Sequence, residues 1–551
     1  MDRSIPATMG GRHLDRKTTC VDTPSPLLLT VISNVHNDPD RLPRAVRSAL
    51  AGWDGPGIEV LVVDDGSTDE TGAVADALAA EDDRVRVLHR GENDGAPGAP
   101  RNLGLDAARG EWVAFVDSDD EYLPGSLRRL VDAALEADAD VAAGAVARYN
   151  ERTDRVTALP ATDYVTGPVD PLEPGSPLWQ DTIAVAKVMR RSLLDDRGIR
   201  FPERILYEDQ PFTVALWSSA RRIATLDEVV YHWYVNNVAG EESITARRHE
   251  VENFHDRIAA NRAIDAQLAD RPDLAAAKLD KFVRHDLALY GKDLDARDAD
   301  YRTAFLTAAR DYLREQPVQL REALPQPYRL VVRELVDGDP ESAVAAALFA
   351  YRRKHVERPL DHRAGRWWWP YRSPDGASPD HDLTLLVEKE HTKGRQLRTT
   401  TATAVRVESG ALDLQGVVVD GDDSLGAMSR LTVLLVERDS GSTLASATTR
   451  LRHHGRFDVR LALPSPDLPA PDLPAPDLDA PPVRAWDVKV TFPSRLARLL
   501  PGRVRKPRPV EVPASLQLPP LDGGVELYRT RNGNLSFRPV LESAEGAEGD
   551  D

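Results

Sequence analysis

Cysteine is nearly missing from this 551-residue chain: Cys20 stands alone, which excludes an internal disulfide framework and suits a reducing compartment. Positive charge is also short. With 70 Lys and Arg against 89 Asp and Glu, the formal net charge is −19, which argues against a nucleic-acid partner, whose footprint is a basic surface. No stretch approaches the ~20 apolar residues that a membrane span requires. The polar segment 1–25 lacks the apolar core of a signal peptide and is expected to be disordered. These absences predict a cytoplasmic protein whose contact with the inner face of a membrane is at most peripheral. Hydrophobic residues, at 41%, suffice for real cores, and the length predicts two or three domains.

The most informative stretch that is present is Phe115-Val116-Asp117-Ser118-Asp119-Asp120, an apolar run that ends in three carboxylates. Glu111 to Val116 reads as a buried strand. Carboxylates at the carboxyl end of such a strand sit at the rim of a sheet, where α/β proteins place ligands. An Asp-x-Asp there offers hard oxygens to Mg²⁺ or Mn²⁺, though an acidic turn after a strand is the plain alternative.

Residues 27–147 alternate strand and helix patterns. Strands are expected at 27–33, 58–63, 85–89 and 111–116, with helices at 39–51, 68–80 and 100–108. This order predicts a mainly parallel sheet covered on both faces, its strands delivering their carboxyl ends to one edge. Polar loops follow all four strands: Ser33-Asn34-Val35-His36-Asn37, then Asp64-Asp65-Gly66-Ser67-Thr68-Asp69, then Glu92 to Asn102, then the Asp-rich turn. A carboxylate of Asp64-Asp65 can accept hydrogen bonds from a base edge. Gly66 frees the turn, and Ser67 or Thr68 can cap the following helix. Arg101 presents a planar charged fork suited to a diphosphate, at the start of a helix that favours anions. Singly, an N-cap and a surface arginine explain these residues as well; together they outline a nucleotide pocket.

DDGSTDET, GAPGAPRNLGLDAARGEW and FVDSDDEYLP resemble the three N-terminal signatures of family 2 glycosyltransferases, which have the GT-A fold. The resemblance covers residues 27–245. It departs at Pro100, usually an alanine, and at His36, which replaces a tyrosine that stacks near the base. By this resemblance Asn34, His36, Asp65, Arg101 and Asp117 would hold a nucleotide-sugar, expected to be a UDP-sugar. Asp119 would be the direct ligand of Mn²⁺ or Mg²⁺, with Asp117 beside it and closer to the ribose. The segments Lys187 to Leu194, Gly198 to Pro202 and Leu206 to Phe212 resemble the family's K-x-x-R-R-S-x-L, I-x-F and E-D stretches. They imply Asp209 as the catalytic base of an inverting displacement, with Glu208 next in line; plain N-terminal helix charge is the competing reading. Val229 to Asn237 and Ser243-Ile244-Thr245 resemble the aromatic strand and ending that follow. Relatives often carry an arginine just after the aromatics; Val235, Asn236 and Asn237 stand there, leaving the metal with Arg101, or Arg247 or Arg248, to face the departing diphosphate. Trp233 suits a sugar platform or core equally.

From Val251 apolar residues recur at helical spacing, predicting a helical linker domain over 251–375 after a catalytic domain over 26–250. Trp367, Trp368 and Trp369 are expected to plug the joint to the next domain, with a sugar platform as the alternative. Residues 380–541 read as an all-β, Ig-like sandwich of short strands, beginning with one at 383–387. Pro464 to Pro482 repeats Pro-Asp-Leu-Pro-Ala units and predicts an extended loop. The basic run Arg495 to Arg508 suits a solvated loop, a polyanionic acceptor or an anionic membrane. The tail 542–551 is expected to be disordered.

This three-part layout resembles the transferases that add β-linked GlcNAc to wall teichoic acids and trimerise through their β-modules. It implies a homo-oligomer, by that resemblance a trimer, acting on a polymeric or lipid-linked glycan or polyol-phosphate acceptor. The competing class is a nucleotide-sugar- or glycan-binding protein that keeps the GT-A fold without turnover.

Overall fold

Four apolar segments form the parallel half of a ten-stranded sheet: β1 (Leu29–Val35), β2 (Ile58–Asp64), β3 (Val85–His89) and β4 (Trp112–Phe115). Every residue of β2, IEVLVVD, is buried, as expected of a strand covered on both faces. Helices α1 (Leu42–Leu50), α2 (Thr71–Glu81) and α3 (Gly98–Ala107) are the crossovers. Helix α1 buries Leu42, Ala45, Val46 and Ala49, a stripe at helical spacing. Gly104 lets α3 approach β1 closely, since a Cβ there would lie 2.4 Å from Ile32.

The computed structural model describes residues 27–539 except 55–56, 152, 163, 236–246, 353–354, 373–377, 394–396, 409–410, 422–429, 439–440, 453–454, 464–485, 492–507, 513–517, 519–524 and 531–533. Segments 1–25 and 542–551, Ser243-Ile244-Thr245, the Pro464–Pro482 repeat, and the Arg495–Arg508 run up to residue 507 lie outside the described residues. The chain divides into two compact units, residues 1–172 with 180–238 and residues 173–179 with 239–551.

The first unit continues through β5 (Glu121–Tyr122), α4 (Ser126–Glu136), β6 (Val141–Asn150), β7 (Arg155–Ala158), β8 (Gly167–Val169), β9 (Lys187–Arg190), α5 (Arg191–Asp196), α6 (Asp209–Ser219) and β10 (Ile223–Tyr234). The sheet order is β3-β2-β1-β4-β9-β6-β10-β5, with β7 on β6 and β8 on β10. β9 runs antiparallel to both β4 and β6, whereas β6 and β10 pair in parallel. Register positions the site. Val35 is level with Asp64, and Ile32 with Phe115, so Asn34, Asp65 and Asp117 emerge at one edge.

The second unit begins with helices over Val251–Gln267, Pro272–Lys281, Leu287–Gly291, Ala299–Glu315, Val318–Glu322, Tyr328–Asp337 and Pro340–Tyr351. They close around a core that includes Phe254, Phe282, Tyr290, Phe305, Tyr312 and Phe349. Trp369 joins this core and donates from Nε1 to Ser342 Oγ at 3.0 Å. Trp367 is half-buried on a short hairpin, stacked on His362 at 4.2 Å. The strand expected at 383–387 is instead the start of a helix, Thr384–Thr392. Leu386, Val387 and Glu390 are buried while Leu385 is 81% exposed, a helical spacing hidden inside a short apolar run.

Beyond it lie two antiparallel sheets, one of Arg398–Glu408, Ala411–Asp420 and Arg456–Ala462, the other built around Arg430–Glu437 and Trp486–Thr491. Leu412, Leu414 and Phe457 of the first share one core with Leu431, Val433 and Val488 of the second, which makes the region a β-sandwich.

Candidate active site

Asn34, His36, Asp65, Asn93, Gly95 and Pro97 line a cleft of about 370 Å³ at the sheet edge. Gly66, with φ +69°, turns the chain under it, and a Cβ there would lie 2.8 Å from the Glu92 backbone. Asp64 faces away: it accepts from Ser67 N and contacts His89 Nδ1 at 2.8 Å. Asp65 is the carboxylate of the cleft. Its Oδ1 accepts from Arg90, and burial pushes its pKa up against the pull of that guanidinium. His36 Nδ1 donates to the Asp65 carbonyl at 3.0 Å and Nε2 accepts from Asn37 Nδ2 at 3.2 Å, which leaves only the ring face for a ligand. Ser67 does not cap α2, which starts at Thr71 without a side-chain cap. Its Oγ accepts from Asn37 N, and Thr68 N donates to Asn37 Oδ1, so the first two loops are tied together.

Asp117, Asp119 and Asp120 part company after β4. Asp120 is buried; it accepts from Tyr231 Oη at 2.9 Å and from Tyr234 N at 2.8 Å, bracing the turn on β10. Asp117 donates from N to the same Tyr231 Oη, and its Oδ1 accepts from Arg101 Nη2 at 2.7 Å. The Asp119 carboxylate receives no side-chain hydrogen bond among the described residues. Burial, then Asp117, push its pKa up to about 6 against the pull of Arg41. Arg44 donates to the Asp119 carbonyl at 2.5 Å, with its guanidinium 3.6 Å above the Tyr234 ring.

Glu208 and Asp209 open α6, directly after Tyr207, whose φ of +68° marks a strained approach. The Asp209 side chain is 24% exposed and that of Glu208 only 5%, so Asp209 is the member open to solvent. Ala184 N donates to Asp209 Oδ2 at 3.2 Å. Arg101 Nη1 reaches both carboxylates and Nε donates to Asn34 Oδ1 at 3.3 Å. Burial, then Asp209, push the Glu208 pKa up to about 8 against the pull of Arg101. Burial raises Asp209 as well, but Arg101 opposes the rise; the two titrate as a pair.

Behind this loop Lys187, fully buried, pairs with Asp181 at 2.9 Å. Asp181 also accepts from Tyr164 Oη, and its carbonyl from Trp217 Nε1 of α6 at 3.0 Å. The pair therefore anchors the loop that supplies Ala184 N–H to Asp209. A lysine inside the apolar run 184–189 was the available signal for it. Arg41, Arg44 and Arg90 carried no such signal, because surface-type arginines recur throughout the chain. Trp233 is half-buried beneath the Arg148 guanidinium, 5.0 Å away.

A mixed sheet whose parallel strands β1 to β4 bring a nucleotide-sized cleft and an Asp-x-Asp turn to one edge, near a helix-opening Glu-Asp pair, defines a GT-A-type architecture. Residues 30–198 match the family described as Glycosyl transferase family 2. The chain is 30% identical over 240 residues to YibD, an uncharacterised glycosyltransferase of Escherichia coli K12, covering 41% of this chain and 68% of that one. It is 32% identical over 179 residues to the glycosyltransferase GlyG of Streptococcus pneumoniae, 32% of this chain and 54% of that one. The protein thus belongs to glycosyltransferase family 2, though it spans only about half the length of GlyG. It is also 33% identical over 190 residues to TarS of Staphylococcus aureus, a poly(ribitol-phosphate) beta-N-acetylglucosaminyltransferase, covering 34% of this chain and 32% of that one. The crystal structure of TarS aligns over 93% of this chain and 85% of its own with a TM-score of 0.53 at 18% identity, a likeness of fold.

Proposed function

We propose that the protein transfers a sugar from a UDP-sugar to a hydroxyl of a polyol-phosphate polymer of the cell envelope, with inversion at the anomeric carbon. The observation that carries this reading is the partly open carboxylate of Asp209, held by Ala184 N–H and Arg101 with the buried Glu208 behind it. The donor's base enters the cleft of Asn34, His36 and Asp65, where the Asp65 carboxylate accepts from its polar edge. The acceptor hydroxyl gives its proton to Asp209 as its oxygen forms the new bond to the anomeric carbon. The glycosidic oxygen leaves with the diphosphate in the same displacement. Glu208, only 5% exposed, lies behind Asp209 and out of reach of that hydroxyl.

The residues present suit a divalent cation. Among the described residues no cluster of three or more His, Cys, Asp or Glu forms a closed cage, and Mg²⁺ or Mn²⁺ bound with a nucleotide needs only one or two carboxylates beside phosphate oxygens. Asp119, half-buried among like charges and short of donors, fits that role, with Asp117 next to it. When bound, the ion would neutralise the diphosphate as it departs.

No helix among the described residues is long and apolar enough to cross a membrane. The proposed site of action is the cytoplasmic face, reached peripherally. The β-sandwich is assigned to assembly, as a homotrimer, and to acceptor capture, which would let one polymer meet several sites. A screen of UDP-GlcNAc, UDP-glucose, UDP-galactose and GDP-mannose for Mn²⁺-dependent release of nucleotide, with and without poly(ribitol phosphate), tests class and donor together. Release from a UDP-sugar, accelerated by the polymer, is expected; binding without release from any donor favours the binding-protein class.

A further inference from the structure

We infer that Arg101 is a positioning residue that ties the donor side of the cleft to the Glu208–Asp209 pair, and not a ligand of the donor diphosphate. The inference rests on the glycosyltransferase reading above and concerns how its parts are held together. A guanidinium has five N–H donors and no acceptor. In Arg101, Nε–H goes to Asn34 Oδ1 at 3.3 Å, both hydrogens of Nη1 are taken by Glu208 and Asp209, and Nη2 donates to Asp117 Oδ1 at 2.7 Å. One N–H of Nη2 is left over, too little for the two parallel bonds by which an arginine grips a diphosphate.

The surroundings point the same way. The Arg101 side chain is 4% exposed, sunk beneath the carboxylates it serves, with the Phe201 ring 5.3 Å from its guanidinium. Its partners come from three separate chain segments: the end of β1, the turn after β4 and the start of α6. Nothing else among the described residues links Asp117 to Asp209 directly. To turn toward a phosphate, the guanidinium would have to abandon the sealed Glu208 and the partly open Asp117 and Asp209, which pair with no other cationic side chain among the described residues. It therefore fixes the distance between the turn that meets the donor and the carboxylate that takes the acceptor's proton. Its attraction on Asp209 also opposes the effect of burial there.

The test is the split between donor affinity and turnover in the full-length protein. UDP binding with Mn²⁺ by calorimetry, and turnover of the UDP-sugar found active, would be measured for Arg101→Ala, Arg101→Lys, Asp209→Asn and the Arg101→Ala/Asp209→Asn double variant. The expected result for Arg101→Ala is UDP affinity little changed and turnover lower by roughly 10²-fold, the scale of losing a general base. Added guanidinium ion should restore part of it. In the Asp209→Asn background the same change should cost little more, because both act on one step. Arg101→Lys should fall between, as one ammonium cannot span three carboxylates. A loss of UDP affinity of roughly tenfold or more with turnover at saturating donor preserved would make Arg101 a diphosphate ligand and overturn the inference. Full additivity in the double variant, or loss of UDP binding together with loss of the folded circular-dichroism signal, would overturn it too. Absence of turnover in the unaltered protein would instead sink the glycosyltransferase reading, and UDP affinity across the same variants would still decide the role of Arg101.

Discussion

In the first unit, buried charge converges on an opening: Arg101 and Glu208 are sealed, but Asp117 and Asp209, which they touch, keep side-chain exposures of 34% and 24%. In the helical part of the second unit, buried charge closes on itself. Asp286 accepts from Arg257 at 3.3 Å, Asn261 at 3.2 Å and Lys281 at 2.9 Å, and its pKa falls because Lys281 and Arg257 outweigh the effect of burial. Lys278 likewise pairs with Asp265 at 2.7 Å and meets Tyr312. The two regions contain similar residue types at similar depth. What separates them is whether a carboxylate is left partly open, as Asp119 and Asp209 are, or sealed and saturated, as Asp286 is. Buried charge alone marks architecture; charge at an opening marks chemistry.

That contrast is broken most forcefully in the sealed network. Asp286→Ala removes a carboxylate shared by the buried Arg257 and Lys281, and unfolding free energy should drop by about 3–5 kcal/mol. Chemical denaturation checks it; a variant as stable as the parent would mean that the network adds nothing.

Next comes the contact between the helices and the β-sandwich, where His355 meets Glu511 at 2.6 Å and Glu357 at 3.7 Å, with Arg352 nearby. Burial draws the His355 pKa down, but its two carboxylate partners prevail and hold it at about 9. A folded pKa above the unfolded value of about 6.5 stabilises fully below that value and is lost as pH rises through 9, a difference of about 3 kcal/mol. His355→Gln should therefore melt lower at pH 6.5 and approach the parent near pH 10. Parallel melting curves at every pH would contradict the assignment.

The smallest effect concerns the metal. Asp119→Ala should weaken UDP binding in Mn²⁺ by roughly tenfold, about one charged hydrogen bond, with stability unchanged or slightly raised. Excess chelator should abolish transfer by the unaltered protein, and full activity under chelation would remove the metal from the account.

Much of the first unit was legible because parallel strands leave a plain record. β3 falls on 85–89 as expected, and the four polar loops do meet at one edge. The alternation of β1 to β4 with α1 to α3 needs only hydrophobic period and turn chemistry to be read. Less visible were contacts between residues far apart in sequence. Nothing local distinguishes Asp120, a brace on β10, from Asp119, one residue earlier and short of donors. The grip of Arg101 on α6 spans more than a hundred residues, and sequence pattern offered the diphosphate instead. The helix at Thr384–Thr392 was hidden because five apolar-leading residues suit either period. Arg44 over Tyr234 pairs an ordinary surface arginine with a ring that only tertiary structure brings near.

The most direct test of the account is transfer by Asp209→Asn compared with the unaltered protein, measured at saturating UDP-sugar with Mn²⁺, alongside the melting temperature of each. Turnover should fall by ~10²-fold or more while UDP affinity and melting temperature stay close to those of the parent. Near-normal turnover would place the base elsewhere, with Glu208 the first candidate. A loss of turnover matched by a loss of fold would make Asp209 as structural as Asp286.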